Sequence, residues 1–114
     1  MLQPHVMPSL ERWAKFYKGP MLMLGACGSN VPEYPMGRDY FAQWVGGEYA
    51  DMDMDPQADI HFDLNVDDSS LSEGFETVFN LGTLEHVWNV HNAWGNALRM
   101  VRVGGYFLSH SPGS

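Results

Sequence analysis

A run of small residues follows an apolar tetrapeptide early in the chain: Met21-Leu22-Met23-Leu24, then Gly25-Ala26-Cys27-Gly28-Ser29-Asn30. Small side chains directly after a buried strand let a ligand approach the backbone, and glycine tolerates the turns this requires. Further on, Asp51, Asp53 and Asp55 alternate with Met52 and Met54, so in extended chain the three carboxylates share one face. Three close acids are too costly to bury unpaired, which leaves most of them solvated or bound. Asp53 stands 25 residues beyond Gly28, near the spacing of about 20 typical of nucleoside-binding α/β units, where a carboxylate accepts the ribose hydroxyls. Asp53 is therefore the candidate ribose ligand, and Asp51 and Asp55 are expected to face solvent.

Several other chemistries fail on spacing. An EF-hand loop counted from Asp51 would need glycine at its sixth position and glutamate at its twelfth, where Pro56 and Phe62 stand. His86 and His91 are five residues apart, not the four that put two zinc-binding histidines on one helix face. His61 and Asp63 would need ligands from elsewhere to hold a metal, so no metal is expected. There is no Gly-Lys-Ser/Thr for a P-loop. An NAD(P)-binding oxidoreductase is a rival reading, since it uses the same strand, loop and acid, but G-x-G-x-x-G is absent: residues 25, 27 and 30 are Gly, Cys and Asn.

The elements that must position these residues follow from patterning. Pro8 to Pro20 predicts a short amphipathic helix with Ser9 as N-cap, apolar at Leu10, Trp13, Ala14 and Tyr17, and ended by Gly19-Pro20. MLML predicts a strand buried on both faces. Two prolines, Pro32 and Pro35, delay the next helix to about Met36 to Arg38, and Gly46-Gly47 ends it. EYADMD predicts a second strand, ADIHFDLN a third and Glu76 to Asn80 a fourth. A helix with apolar positions at Val87, Val90, Ala93, Trp94, Ala97, Leu98 and Val101 follows, and VGGYFLSHSP supplies a turn and a fifth strand. Strands alternating with helices predict an α/β fold: a Rossmann-like three-layer sandwich around a mainly parallel sheet of about five strands, order 3-2-1-4-5. The chain reads as one domain, with residues 1–19 a covering helix and 20–114 the core. In such sheets the ligand lies beyond the carboxyl ends of the strands, so the stretches after the first four strands are expected to converge on one crevice.

Those stretches together resemble the class I S-adenosylmethionine-dependent methyltransferases. MLMLGACGSN resembles their glycine-rich first motif, YADMDMDP the second strand with its ribose-binding acid, ADIHFDLN the third strand, FETVFNLGTLEHVWN the fourth strand and the Leu-Glu-His after it, and ALRMVRVGGYFLSHSP the last helix, Gly-Gly turn and fifth strand. The resemblance implies S-adenosyl-L-methionine as cofactor, held by Gly25, Ala26, Cys27, Gly28, Asn30, Asp53, Met54, Asp63, Leu64, Leu81, Gly82 and Glu85, with Asp63 toward the adenine amino group. The reaction implied is methyl transfer to an acceptor that the sequence does not identify, and His86 is the candidate base. Such enzymes continue to sixth and seventh strands. This sequence stops at Ser114, so the expectation is a C-terminally truncated fold: either those strands are absent, a partner chain or second copy covers the exposed fifth-strand edge, or the sequence is a fragment of a longer protein. A non-catalytic methyltransferase-fold module acting in binding or assembly is the alternative.

Composition sets outer bounds. The formal net charge is −8, from 14 acids against six scattered bases, which argues against a nucleic-acid partner, whose phosphates are neutralised by Lys and Arg. No apolar stretch reaches the roughly 20 residues of a membrane span, and the N-terminus lacks the apolar core of a secretory signal, so no membrane and a cytoplasmic location are expected. Cys27 is the only cysteine, excluding an internal disulfide.

Overall fold

The computed structural model describes residues 1–25, 27–66, 74–84 and 87–110. Its centre is β1 (Met21–Leu24), in which no residue is more than 1% exposed. Alternate side chains of a strand point to opposite faces, so this apolar run feeds two cores at once. Met21 and Met23 join one, with Leu10, Tyr40, Phe41, Val45, Phe79 and Leu81. Leu22 and Leu24 join the other, with Met52, Leu64, Val78, Ala93 and Ala97.

Around β1 the strands β2 (Tyr49–Asp53), β3 (Ile60–His61), β4 (Phe75–Leu81) and β5 (Val101–His110) form an all-parallel sheet of order β3-β2-β1-β4-β5. This is the expected α/β, Rossmann-like arrangement. Helices α1 (Met7–Arg12) and α2 (Gly37–Val45) pack into the first core and α3 (Val90–Arg99) into the second. The chain thus crosses from β1 to β2 over one face, and from β4 to β5 over the other.

Local chemistry explains most boundaries. In α2 the Asp39 carboxylate accepts the Met36 N–H at 2.7 Å, satisfying a donor at the helix start, and Gly46 leaves the helix at φ +58°. In α3 the Asn89 side chain accepts the Asn92 N–H at 3.1 Å. Thr77, fully buried in β4, ties the chain leading into β1 to the sheet: its hydroxyl donates to the Lys18 carbonyl at 2.9 Å and accepts the Lys18 N–H at 3.0 Å.

Three expectations are corrected. The first helix starts at Met7 with Pro8 in its first turn, where the missing N–H costs nothing, so Ser9 is not the N-cap; its hydroxyl instead accepts from Arg12 at 3.1 Å. In α3, Leu98 and Val90 are 56% and 44% exposed rather than on the buried stripe. Ala93, Asn96 and Ala97 face the sheet, and these smaller side chains take the inner face. Lastly, Gly104-Gly105 lies within β5 and is not a turn before it. Phe75 pairs with Val101 but Thr77 with Tyr106, so β5 carries extra residues in a bulge. Gly104 has φ +84°, and a Cβ on Gly105 would stand 2.6 Å from the Glu76 carbonyl oxygen, which is why glycines occupy both positions.

Gly37 shows how closely the first loop is packed against α2. A Cβ there would fall on the Cys27 sulfur and lie 2.9 Å from the Cys27 carbonyl oxygen, which itself accepts the Gly37 N–H at 2.9 Å. Gly37→Ala is expected to lower unfolding stability by about 1–3 kcal/mol, the cost of overpacking a site that must shift backbone to yield. Urea titration of both proteins measures it.

Candidate functional site

The carboxyl ends of β1 to β4 meet in a crevice of about 130 Å³. Gly25 supplies its floor beyond β1. Met52, Asp53 and Met54 come from the end of β2, residues Phe62 to Asn65 follow β3, and Thr83 and Val87 follow β4. Five of the residues expected at a cofactor site (Gly25, Asp53, Met54, Asp63 and Leu64) are therefore brought together from three strand ends.

Gly25 is required twice over. It takes φ +84°, where side chains are strained, and an added Cβ would collide with the Thr83 hydroxyl. That hydroxyl donates to the Leu24 carbonyl at 2.7 Å, while the Gly25 N–H donates to Met52 at 2.7 Å. The loop after β4 is thereby fastened to the end of β1, and the end of β1 to β2.

Asn80 organises the same loop from below. Only 1% exposed, its Oδ1 accepts the N–H groups of Thr83 and Leu84 at 2.9 and 3.0 Å, and its Nδ2 donates to the Ser109 hydroxyl at 2.9 Å. A buried amide with its partners in place is stable, and the same groups left unpaired are costly.

The acids behave differently from one another. Asp53 is half-buried at the crevice, with Oδ1 accepting the Asp55 N–H at 3.3 Å. On Asp63, Oδ1 accepts both the backbone N–H and the side-chain Nδ2 of Asn65 at 2.9 Å, a turn that holds the carboxylate in the wall. Asp55 is exposed, as expected. Asp51 is not: it is only 4% exposed, does not line the crevice and is held in a local network. Its Oδ1 accepts the Asp59 N–H at 2.7 Å, its own N–H donates to Asp59 Oδ2 at 3.0 Å, and Arg38 reaches Asp51 at 3.4 Å and Asp59 at 3.0 Å. A buried carboxylate needs such partners, and this network fixes the chain between β2 and β3. The Asp51 backbone N–H bonded to Asp59, with the Arg38 guanidinium beside it, holds the Asp59 carboxyl below the usual range. Burial opposes the charge on Arg38, yet its bond to Asp59 and the two nearby carboxylates raise its affinity for the proton overall.

The remaining expected residues lie elsewhere. Gly28 and Asn30 seat the N-terminal segment: the Leu2 N–H donates to Gly28, the Asn30 N–H donates to Leu2, both at 2.9 Å, and the Asn30 side chain donates to Gln3 at 3.1 Å. Cys27 is buried among Leu2, Val31 and Tyr40, and burial pushes its thiol pKa up. Leu81 and Gly82 line a second, larger cavity of about 320 Å³, together with the N-terminal segment and His110. Ala26, Glu85 and His86 lie outside the described residues. His61 Nε2 is 2.7 Å from the Met54 carbonyl, and among the described residues no group of three or more metal-binding side chains occurs.

Thr83, Asn80, Asn65 and Phe62 were not singled out as site residues by the sequence, and Val87, expected on the buried stripe of the last helix, precedes α3 and lines the crevice instead. Asn80 alone carried a signal, a carboxamide within an otherwise apolar strand end, Val78 to Leu81.

Compared with known proteins, the chain matches no family model, no curated protein and no solved structure. Among the described residues, no helix is long and apolar enough to cross a membrane.

Asn80→Leu is expected to destabilise the protein by about 1–3 kcal/mol for each backbone N–H left unpaired, read by thermal or urea denaturation. Asp59, whose folded pKa is lowered, adds stability above its unfolded value of about 3.9 and loses it as pH falls through the folded value. Asp59→Asn should therefore be less stable than the parent at pH 7, with the gap closing as the solution is acidified below pH of about 4. A gap independent of pH would assign the effect to geometry and not charge.

Proposed function

We propose that the crevice beyond β1, β2 and β3 binds the adenosine portion of S-adenosyl-L-methionine, and that the chain transfers the cofactor's methyl group to an acceptor. The observation that carries this reading is the convergence of Gly25, Asp53 and Asp63 on one groove at the carboxyl edge of a 3-2-1-4-5 parallel sheet. The residues suit such a ligand chemically. A carboxylate at the end of β2 accepts a pair of ribose hydroxyls through charge-assisted hydrogen bonds. Oδ1 of Asp63 is taken up by Asn65, so Oδ2 is the acceptor for an exocyclic amine. Met52, Met54, Phe62, Leu64 and Val87 provide apolar contact for a planar base.

The groove carries no Lys or Arg among its described lining residues, which favours a nucleoside without phosphates over a dinucleotide. Its volume, about 130 Å³, is below the roughly 300 Å³ at which whole-ligand pockets begin, and the reading accordingly assigns it to one portion of the cofactor. When bound, the sulfonium supplies an already activated methyl carbon, so the protein has to orient and desolvate and need not form a covalent intermediate. Gly25 keeps the floor open, Thr83 holds the β4 loop beside it, and Asp53 fixes the ribose.

Titration calorimetry with S-adenosylhomocysteine is expected to show saturable binding to the intact chain. Asp53→Ala should weaken it at least tenfold, because loss of charge-assisted bonds costs about 1.5–3 kcal/mol. No binding to the parent, or preferential binding of NADH, would overturn the reading; binding without transfer to any acceptor would convert it to a non-catalytic cofactor-binding module.

A further inference from the structure

The larger cavity, about 320 Å³, has the size of a small-molecule site, and its walls are held from two sides. From the sheet come Leu81 and His110, register partners at the ends of β4 and β5, with Gly82 following. Partnered residues on adjacent strands point the same way. From above come Met1, Gln3, His5 and Val6. That segment is not loosely laid: Leu2 is fully buried, bridges in parallel to Ser29, and exchanges backbone bonds of 2.9 Å with Gly28 and Asn30. The glycine loop thus holds the N-terminal segment over the cavity. Trp13 steadies His110, their ring centroids 6.3 Å apart.

The lining defines what fits. Its polar side chains are two imidazoles and one carboxamide, and no Lys, Arg, Asp or Glu is among the described lining residues. A phosphate, carboxylate or ammonium group would meet no Lys, Arg, Asp or Glu side chain among those residues to offset its lost hydration, which is unfavourable. Val6 and Leu81 offer apolar wall, and an imidazole both donates and accepts. Gly82 lines this cavity and the next residue, Thr83, lines the crevice beyond β1, so one turn separates the two.

We propose that this cavity binds a small, uncharged, largely apolar molecule bearing a hydroxyl group, such as a phenol, and that this molecule is the methyl acceptor. The second clause rests on the cofactor reading given above. In the transfer, the acceptor oxygen forms a bond to the methyl carbon as the carbon–sulfur bond breaks. Sulfur keeps the electron pair and becomes a neutral thioether, and the hydroxyl proton passes to the His110 imidazole.

The test titrates the intact chain with 4-methylphenol, followed by amide NMR, with benzoate and benzylamine as charged counterparts and S-adenosylhomocysteine measured in parallel. Saturable shifts centred on Leu81, Gly82 and His110 are expected with 4-methylphenol and not with either ion. A preference for benzoate or benzylamine would overturn the ligand class. Binding of S-adenosylhomocysteine with no response to 4-methylphenol would overturn this inference and leave the cofactor reading standing. The converse result would uphold the ligand class and sink the acceptor role. With labelled S-adenosylmethionine, methyl ether formation should fall at least tenfold in His110→Phe while 4-methylphenol binding changes less than threefold; equal losses in both, or an unchanged rate, would remove His110 as the proton acceptor.

Discussion

Burial of β1 on both faces is the constraint from which the rest of the structure follows. Its four residues are apolar and excluded from water, so neither face of β1 carries a polar side chain, and the buried polar residues of the sheet lie on its neighbours, Asp51 on β2 and Thr77 and Asn80 on β4. Each face then needs its own cover. The β1 to β2 connection lays α2 on one side, and the β4 to β5 connection lays α3 on the other. Because these two connections leave β1 and β4 in opposite directions, no helix among the described residues crosses directly above the carboxyl ends of the central pair, and a crevice remains there. The buried polar residues obey the same division. Thr77 faces the entry to the sheet and bonds to Lys18, whereas Asn80 and Asp51 bond to the loops that leave it.

Strand order, helix placement and the site's location were legible because they depend on coarse patterning. MLML has no polar residue to give it an exposed face, and Pro32 and Pro35 leave no room for an earlier helix. Asp53 and Asp63 were legible as crevice residues because each follows or ends a strand on the carboxyl side of the sheet. What escaped depends on tertiary partners. Asp51 shares period and charge with Asp53, and only the presence of Arg38 and Asp59, 13 and 8 residues away in sequence, makes its burial tolerable. The same applies to Leu98: helical periodicity admits it to the inner face, but α3 turns its smaller Ala93 and Ala97 to the sheet. The Gly104-Gly105 pair reads as a turn in isolation, and its role in a bulge is set by the Glu76 carbonyl of the neighbouring strand.

The small-residue loop after β1 divides its work along its length. Gly25 serves the crevice, where any side chain would displace Thr83. Gly28 and Asn30 serve the N-terminal segment, and Cys27 fills the space against Gly37. Asparagine at position 30 is thus explained without reference to a dinucleotide: its backbone N–H and its side-chain amide hold Leu2 and Gln3. The same segment roofs the larger cavity. One loop on the β1 side thus supplies Gly25 to the crevice and holds the roof of the larger cavity, and one turn on the β4 side, Leu81-Gly82-Thr83, borders both. Asn80 holds that turn from beneath, and this makes a buried amide with no access to either cavity a positioning residue for both.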